Sequence, residues 1–233
     1  MAELPLLEGS LNPLNIFRVV WHNHMFYKTH PGYFRPEGLL VFCGEQGSGK
    51  TLSAVQYVLK LCHEYPLAIL CTNVAIQGLP PQTWVVEYNG LDCLKDLENG
   101  YYGVIYFIDE IHLEFNSLES KNIDIEVMIE VSQQRKQRKH IIGTSQVYGR
   151  LAKPFREQIR NAVLCANWGK VLQINSLIDG AKSTEKDGKL VTDTVKRFIW
   201  FHKPELYDCY DTYAKMKRYK QEWQGKPKRL EGK

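Results

Sequence analysis

The segment Gly44-Glu45-Gln46-Gly47-Ser48-Gly49-Lys50-Thr51 has the spacing G-x-x-x-x-G-K-[ST], which suits the binding of a polyphosphate. Its glycines let the backbone wrap closely enough for successive N–H groups to face phosphate oxygens, and the helix expected to start near Gly49 turns its positive end toward them. Lys50 would neutralise the β and γ oxygens and Thr51 would offer its hydroxyl to magnesium. The expected nucleotide-binding set is Gly44, Glu45, Gln46, Gly47, Ser48, Gly49, Lys50, Thr51 and Leu52, and the expected cofactors are ATP and Mg2+. A second group follows downstream, where Ile105, Tyr106, Phe107 and Ile108 lead into Asp109-Glu110. Ligands bind outside the carboxyl ends of strands in open α/β sheets, so Asp109 there would hold magnesium through its water shell. Glu110 would accept a proton from an attacking water. Alone, each piece reads as a glycine-rich turn or a helix cap; together they point to nucleotide hydrolysis.

These groups need a sheet and helices to position them. "LLVFCG" before the glycine-rich loop and the nearly all-apolar "GVIYFIDE" (103–110) predict central strands covered on both faces. Between them, Thr51 to His63 predicts a helix, "LAILCTN" and "TWVVEY" predict strands, and a small helix falls near "GLDCLKDLENG". Residues 124–139 carry Ile125, Met128, Ile129 and Ser132 at helical spacing, and "HIIGTSQ" (140–146) predicts the next strand. A helix from Pro154 to Asn161, the strand "AVLCANW", and "KVLQINS" and "TVKRFIWFH" around the turn Asp187-Gly188 complete the pattern. Strands alternating with helices predict an α/β fold with a doubly wound, mainly parallel sheet, carrying a C-terminal β-hairpin and a basic helical tail. The expected organisation is an irregular N-terminal arm (1–37), the P-loop domain (38–203) and a basic tail (204–233).

Composition limits the alternatives. A chain of 233 residues can bury a core without covalent staples. Its cysteines (Cys43, Cys62, Cys71, Cys93, Cys165 and Cys209) form no C-x-x-C pair and sit mostly in apolar segments, as buried thiols of a reducing compartment do. No apolar run approaches the roughly 18 residues of a membrane span, and "MAELPLLEGS" lacks the features of a signal peptide, so a soluble cytoplasmic protein is expected. The net charge of +4 is too small to name nucleic acid as a partner. Between Lys215 and Lys233 there are eight Lys or Arg, ordinarily a solvated tail. His22, His24 and His30 read as packing before metal ligation. Phe26, Tyr27 or Tyr33 of the arm is a candidate for stacking on adenine, and Lys182, Lys186 and Lys189 of the hairpin for gripping phosphates. The basic stretch "SQQRKQRKH" (132–140) is explained in part as cations at a helix C-terminus.

GEQGSGKT, the strand ending in Asp109-Glu110, and a strand ending in Gln146 after an Arg-bearing helix together resemble the additional-strand P-loop ATPases. They are most similar to the FtsK/HerA superfamily, with its Zot-like phage proteins and viral genome-packaging ATPases. The resemblance covers about residues 38–165 and implies a RecA-like P-loop NTPase core. It implies a DNA-translocating ATPase that works as a homo-oligomeric ring, first of all on duplex DNA and a viral genome, with a portal or capsid-vertex protein as docking partner. By the same resemblance Gln146 senses the γ-phosphate, and Arg135, or else Arg138, is supplied to the neighbouring subunit's nucleotide, so the expected catalytic set is Lys50, Glu110, Gln146, Arg135 and Arg138. The transmembrane helix usual in filamentous-phage members has no counterpart here. The alternatives are a Zot-like assembly ATPase that extrudes single-stranded DNA and, from another class, a P-loop kinase or nucleotide switch; the Asp-Glu pair favours hydrolysis over transfer.

Overall fold

Val104–Ile108 is buried at every position, and a strand with no wet face must have helices on both sides. The computed structural model, which describes residues 12–36, 38–115, 125–134, 136–180, 183–186 and 189–211, supplies them. In chain order the elements are α1 (Leu14–Thr29), β1 (Gly38–Cys43), α2 (Lys50–Glu64), β2 (Ile69–Thr72), β3 (Ala75–Ile76), β4 (Val85–Glu87), α3 (Cys93–Asp96), β5 (Val104–Ile108), α4 (Ile125–Gln133) and β6 (Lys139–Ser145). There follow α5 (Lys153–Arg156), β7 (Ile159–Trp168), β8 (Leu172–Asp179), β9 (Thr184–Lys186), β10 (Lys189–Val191), β11 (Thr194–Phe201), α6 (Pro204–Asp208) and β12 (Tyr210–Asp211).

Eight strands form one sheet in the order β11-β8-β7-β1-β6-β5-β2-β4. The ladders from β7 to β4 are parallel, and β8 and β11 add an antiparallel wing. Alternation along β5 divides the core: Val104, Tyr106 and Ile108 pack with Val127, Val131 and Phe155 of α4 and α5, while Ile105 and Phe107 pack with Ala54, Val55 and Val58 of α2. The expected doubly wound, mainly parallel sheet is therefore present. Parallel register brings the carboxyl ends of β1, β6, β5 and β2 to one edge, with Cys43 opposite Ser145, Ile108 opposite Gly143 and Thr72 opposite Phe107.

Four local expectations need correction. The arm is not irregular, because Leu14–Thr29 forms a helix; its apolar residues lie nearly all round the axis and so leave no clean period in the sequence. The helix expected over 124–139 ends at Gln133. Arg138 takes φ 53° and Lys139 and His140 open β6, where their polar atoms find internal partners: Lys139 Nζ donates to Leu94 O at 2.7 Å and meets Glu130 at 3.0 Å, and His140 Nδ1 bonds Gly38 O at 2.9 Å. They are buried strand residues, not cations on a helix end. The helix expected over 154–161 stops at Arg156, since Ile159 is already paired with Leu39 of β1. Finally, residues 204–211 are docked rather than trailing, because Tyr210 pairs with Ile76. The expected turn Asp187-Gly188 and the tail from 212 onward lie outside the described residues.

Candidate nucleotide site

Gly49 is the N-cap of α2 and has φ 79°, a left-handed conformation that costs a side-chain-bearing residue energy. A Cβ there would also run into Gln173 Oε1. Gln173, fully buried on β8, donates from Nε2 to Ser48 O and to Asn175 Oδ1, each at 3.0 Å. Asn167 donates its amide to Gly47 O. The phosphate-type loop is thus held from below by β7 and β8. Lys50, buried, reaches back across the loop to Glu45 O at 3.0 Å.

The acidic pair faces this loop across β6. Thr51 Oγ1 donates to Asp109 Oδ1 at 3.1 Å, joining the start of α2 to the end of β5. Thr144 of β6 donates to the same Asp109 oxygen at 2.7 Å and accepts the Glu110 N–H at 2.9 Å. Asn73, just beyond β2, accepts the Asp109 N–H at 2.8 Å and donates to Asp109 O at 3.1 Å. Side chains from neighbouring elements at one edge of the sheet therefore fix where both acids stand. Glu110 has φ 57°, uncommon for a residue with a Cβ and characteristic of sites whose surroundings over-determine the backbone. Its carboxylate lies 3.2 Å from His112 Nδ1.

A hydroxyl and a carboxylate this close, at the N-terminus of a helix, form the hard-oxygen pair that Mg2+ prefers, and magnesium keeps most of its remaining positions for water and phosphate. The residues present fit that ion. Gln146 follows β6 directly and is half-buried, in the gap between the loop after β1 and the acids after β5. Arg138 is at the opposite end of β6. Its Nη1 donates to Gly100 O at 3.1 Å and its guanidinium lies 4.7 Å from the Tyr33 ring centroid, so the fold already uses it. Arg135 lies outside the described residues.

Beside the loop is a cavity of about 320 Å³ lined by Gly47, Gly49, Lys50, Thr51, Leu52, Asn167, Lys170, His202, Tyr207 and Tyr210. His202 Nε2 bonds Gln173 Oε1 at 3.0 Å, and its Nδ1 meets the Tyr207 hydroxyl, which donates to Lys170 O at 3.2 Å. The aromatic wall next to the loop is therefore built from His202, Tyr207 and Tyr210. The expectation that Phe26, Tyr27 or Tyr33 stacks on a base is corrected: Tyr33 contacts Phe26 and Tyr101 at the amino-terminal edge of the sheet. His30 stacks on Phe26 with ring centroids 4.3 Å apart. Lys186 and Lys189 are register partners in the β9–β10 hairpin, and Lys182 lies outside the described residues.

The thiols take no part in this arrangement. All six cysteines are free, and burial pushes Cys62, Cys71 and Cys165 up to about 12 and Cys43 higher still, which removes the thiolate that nucleophilic chemistry requires. Among the described residues no group of three or more His, Cys, Asp or Glu could hold a metal ion, and no helix is long and apolar enough to cross a membrane. Sequence reasoning missed Thr144, Asn73, Gln173, His202, Tyr207 and Tyr210. Thr144, two residues before Gln146, and Asn73, the last residue of the predicted strand LAILCTN, had a local signal.

No protein-family model matches the chain, and no curated protein matches it by sequence. Among solved structures, the genome packaging NTPase B204 of Sulfolobus turreted icosahedral virus 2 bound to ATP-γ-S aligns over 73% of this chain and 98% of its own at 13% identity and TM-score 0.48. The same NTPase bound to AMP aligns over 58% and 78% at 15% identity and TM-score 0.44. The N-terminal domain of zonular occludens toxin from Neisseria meningitidis aligns over 76% of this chain and 100% of its own, at 16% identity and TM-score 0.52. With the glycine-rich loop, the inserted β6 and the acidic end of β5 in place, the chain has the P-loop α/β fold of that domain.

Proposed function

We propose that the chain is a Mg-ATP hydrolase whose turnover drives DNA through a ring of its own copies, first of all as a viral genome-packaging motor docked on a portal or capsid-vertex protein. The observation that carries the hydrolase reading is the 3.1 Å contact between Thr51 and Asp109, because it joins the phosphate loop and the acidic strand end into one metal-binding pair. When bound there, magnesium would neutralise charge on the phosphate oxygens. The backbone of Gly44 to Thr51 holds the phosphates and Lys50 offsets their charge. Glu110 leaves His112 and takes a proton from water as the water oxygen bonds to the γ-phosphorus. The bond from the γ-phosphorus to the β–γ bridging oxygen breaks, and ADP departs with that oxygen. Gln146 contacts the γ-phosphate from the end of β6. The arginine from the neighbouring copy is Arg135, since Arg138 is committed to Gly100 and Tyr33.

The fold shared with the toxin domain favours one second reading, a Zot-like assembly ATPase acting on single strands. Steady-state turnover of the purified chain with Mg-ATP, measured alone, with duplex and with single-stranded DNA, tests both. Duplex stimulation is expected, and stimulation only by single strands selects the second reading. Glu110→Gln should keep ATP binding and lose about 100-fold or more in turnover, in line with the loss of a general base. Full turnover in that variant would overturn the hydrolytic role, and indifference to either DNA would overturn the motor.

A further inference from the structure

Helix α1 buries none of its residues. Leu14, Ile16, Phe17, Val19, Val20 and Trp21 are each 57–71% exposed, and a helix apolar nearly all round belongs in protein interior rather than water. Together these side chains leave on the order of 700 Å² of apolar surface open, close to the roughly 800 Å² per partner of a specific interface. The other end of the helix is fixed: Phe26 and Tyr27 pack on Tyr33, and Arg35 lies 3.8 Å from the Tyr27 ring centroid.

Between α2 and the wing is a groove of about 900 Å³ lined by the apolar Leu40, Phe42, Leu61, Leu177, Phe198 and Trp200 and also, on α2, by polar and charged residues such as Gln56, Lys60 and Glu64. It follows α2 from Ser53 to Glu64, about 17 Å at 1.5 Å per residue, and the exposed stretch Leu14 to Trp21 spans about 11 Å. We infer that the apolar half of α1 from one copy lies in the α2–β11 groove of the next copy. Among the described residues none fills that groove and none buries the apolar half of α1. Such a head-to-tail contact uses two different surfaces and closes as a ring or runs on as a filament. A membrane is the poorer occupant, since an interfacial helix needs a strongly charged face and α1 carries only Arg18 and Lys28 as permanent charges. The inference supplies an interface for the proposed ring and does not depend on the hydrolytic chemistry.

The test uses the full chain. Val20→Glu should weaken self-association at least about tenfold by light scattering, equivalent to about 1.4 kcal/mol. It should leave the melting temperature and ATP-analogue binding as in the wild type, because Val20 is exposed in its own copy. A Val20→Cys chain mixed with a differently tagged Phe198→Cys chain should give a mixed disulfide under oxidation that wild-type mixtures do not. An oligomer of unchanged mass with Val20→Glu and no mixed disulfide would overturn this interface and leave the ring standing. Unchanged mass with lost binding to phosphatidylglycerol vesicles would assign α1 to membrane instead. A wild-type chain that is monomeric at every concentration would overturn both interface and ring, while the Glu110→Gln assay still judges the hydrolase.

Discussion

Replacing Gln173 with Met keeps the length and volume of a fully buried side chain and removes every hydrogen bond that side chain makes. Those bonds run to the Ser48 carbonyl at 3.0 Å, to Asn175 at 3.0 Å and from His202 at 3.0 Å. Asn175 keeps Ser53 as a partner at 3.2 Å, so the loss falls on the Ser48 carbonyl and on His202. Leaving a buried polar group unpaired costs about 1–3 kcal/mol. One such group on the loop itself, with partial loss at His202, gives about 2–3 kcal/mol against the loop conformation that faces the phosphates. If nucleotide binding needs that conformation, affinity falls about 30- to 150-fold at 1.4 kcal/mol per decade. The assay is titration of Gln173→Met with a fluorescent ATP analogue beside a thermal melt, where about 2 kcal/mol should lower Tm by about 4–8 °C. Wild-type affinity together with a lowered Tm would show that β8 supports the fold but not the loop, and would refute the reasoning.

Gly49→Ala should abolish nucleotide binding, since it combines strain at φ 79° with a clash against Gln173; binding by equilibrium dialysis with Mg-ATP measures it. Thr144→Val removes a donor to Asp109 and the acceptor of the Glu110 N–H and should lower kcat about 10- to 100-fold with little change in nucleotide Kd; it is a positioning residue, so equal losses in kcat and affinity would count against that role. Tyr210→Ala should weaken ATP binding about tenfold, within the range of aromatic–base stacking, and leave tripolyphosphate binding unchanged. His140 is held neutral, its pKa pushed down from 6.5 to about 4 by burial and partly raised by the bond to Gly38. The unfolded chain protonates first, so stability is full above about pH 6.5 and falls as pH drops toward 4, by about 3 kcal/mol in all. Urea unfolding at pH 7.5 and 5 should show much of that loss in the wild type and a smaller one in His140→Gln.

What could be read in the sequence was what depends on near neighbours. The loop Gly44–Thr51 and the run into Asp109-Glu110 are short patterns whose chemistry requires contiguous residues, and β5 announces its burial by being apolar throughout. Gln173 and His202 act on a loop more than 120 residues away, and nothing local distinguishes them from other half-polar strand residues. Asn73 and Thr144 become partners of Asp109 only because β2, β5 and β6 are neighbours in the sheet, which is a property of strand order. Helix α1 escaped detection for the opposite reason. Its apolar residues surround the axis, so no periodicity separates a buried side from a wet one.

The basic stretch before β6 shows how strand order changes the meaning of charge. Read along the chain, Lys136, Arg138, Lys139 and His140 form a cationic cluster of the kind that attracts nucleic acid. In the fold, Lys139 is paired with Glu130, His140 is a neutral imidazole between Gly38 and Tyr57, and Arg138 caps Gly100 under Tyr33. Only Lys136 among these four is exposed. A phosphate backbone binds cations that can release its counterions, and a buried lysine already paired with a glutamate releases none. Contacts to DNA in the proposed motor must therefore come from charges the core does not use. Lys196 and Arg197 on β11 are exposed, and the backbone register places Lys186 opposite Lys189 in the hairpin that precedes that strand. Lys196 and Arg197 lie on the antiparallel wing, beyond β7 and away from the acids after β5, while Lys186 and Lys189 belong to the separate two-stranded β9–β10 sheet, so that grip and hydrolysis would be served by different parts of the fold.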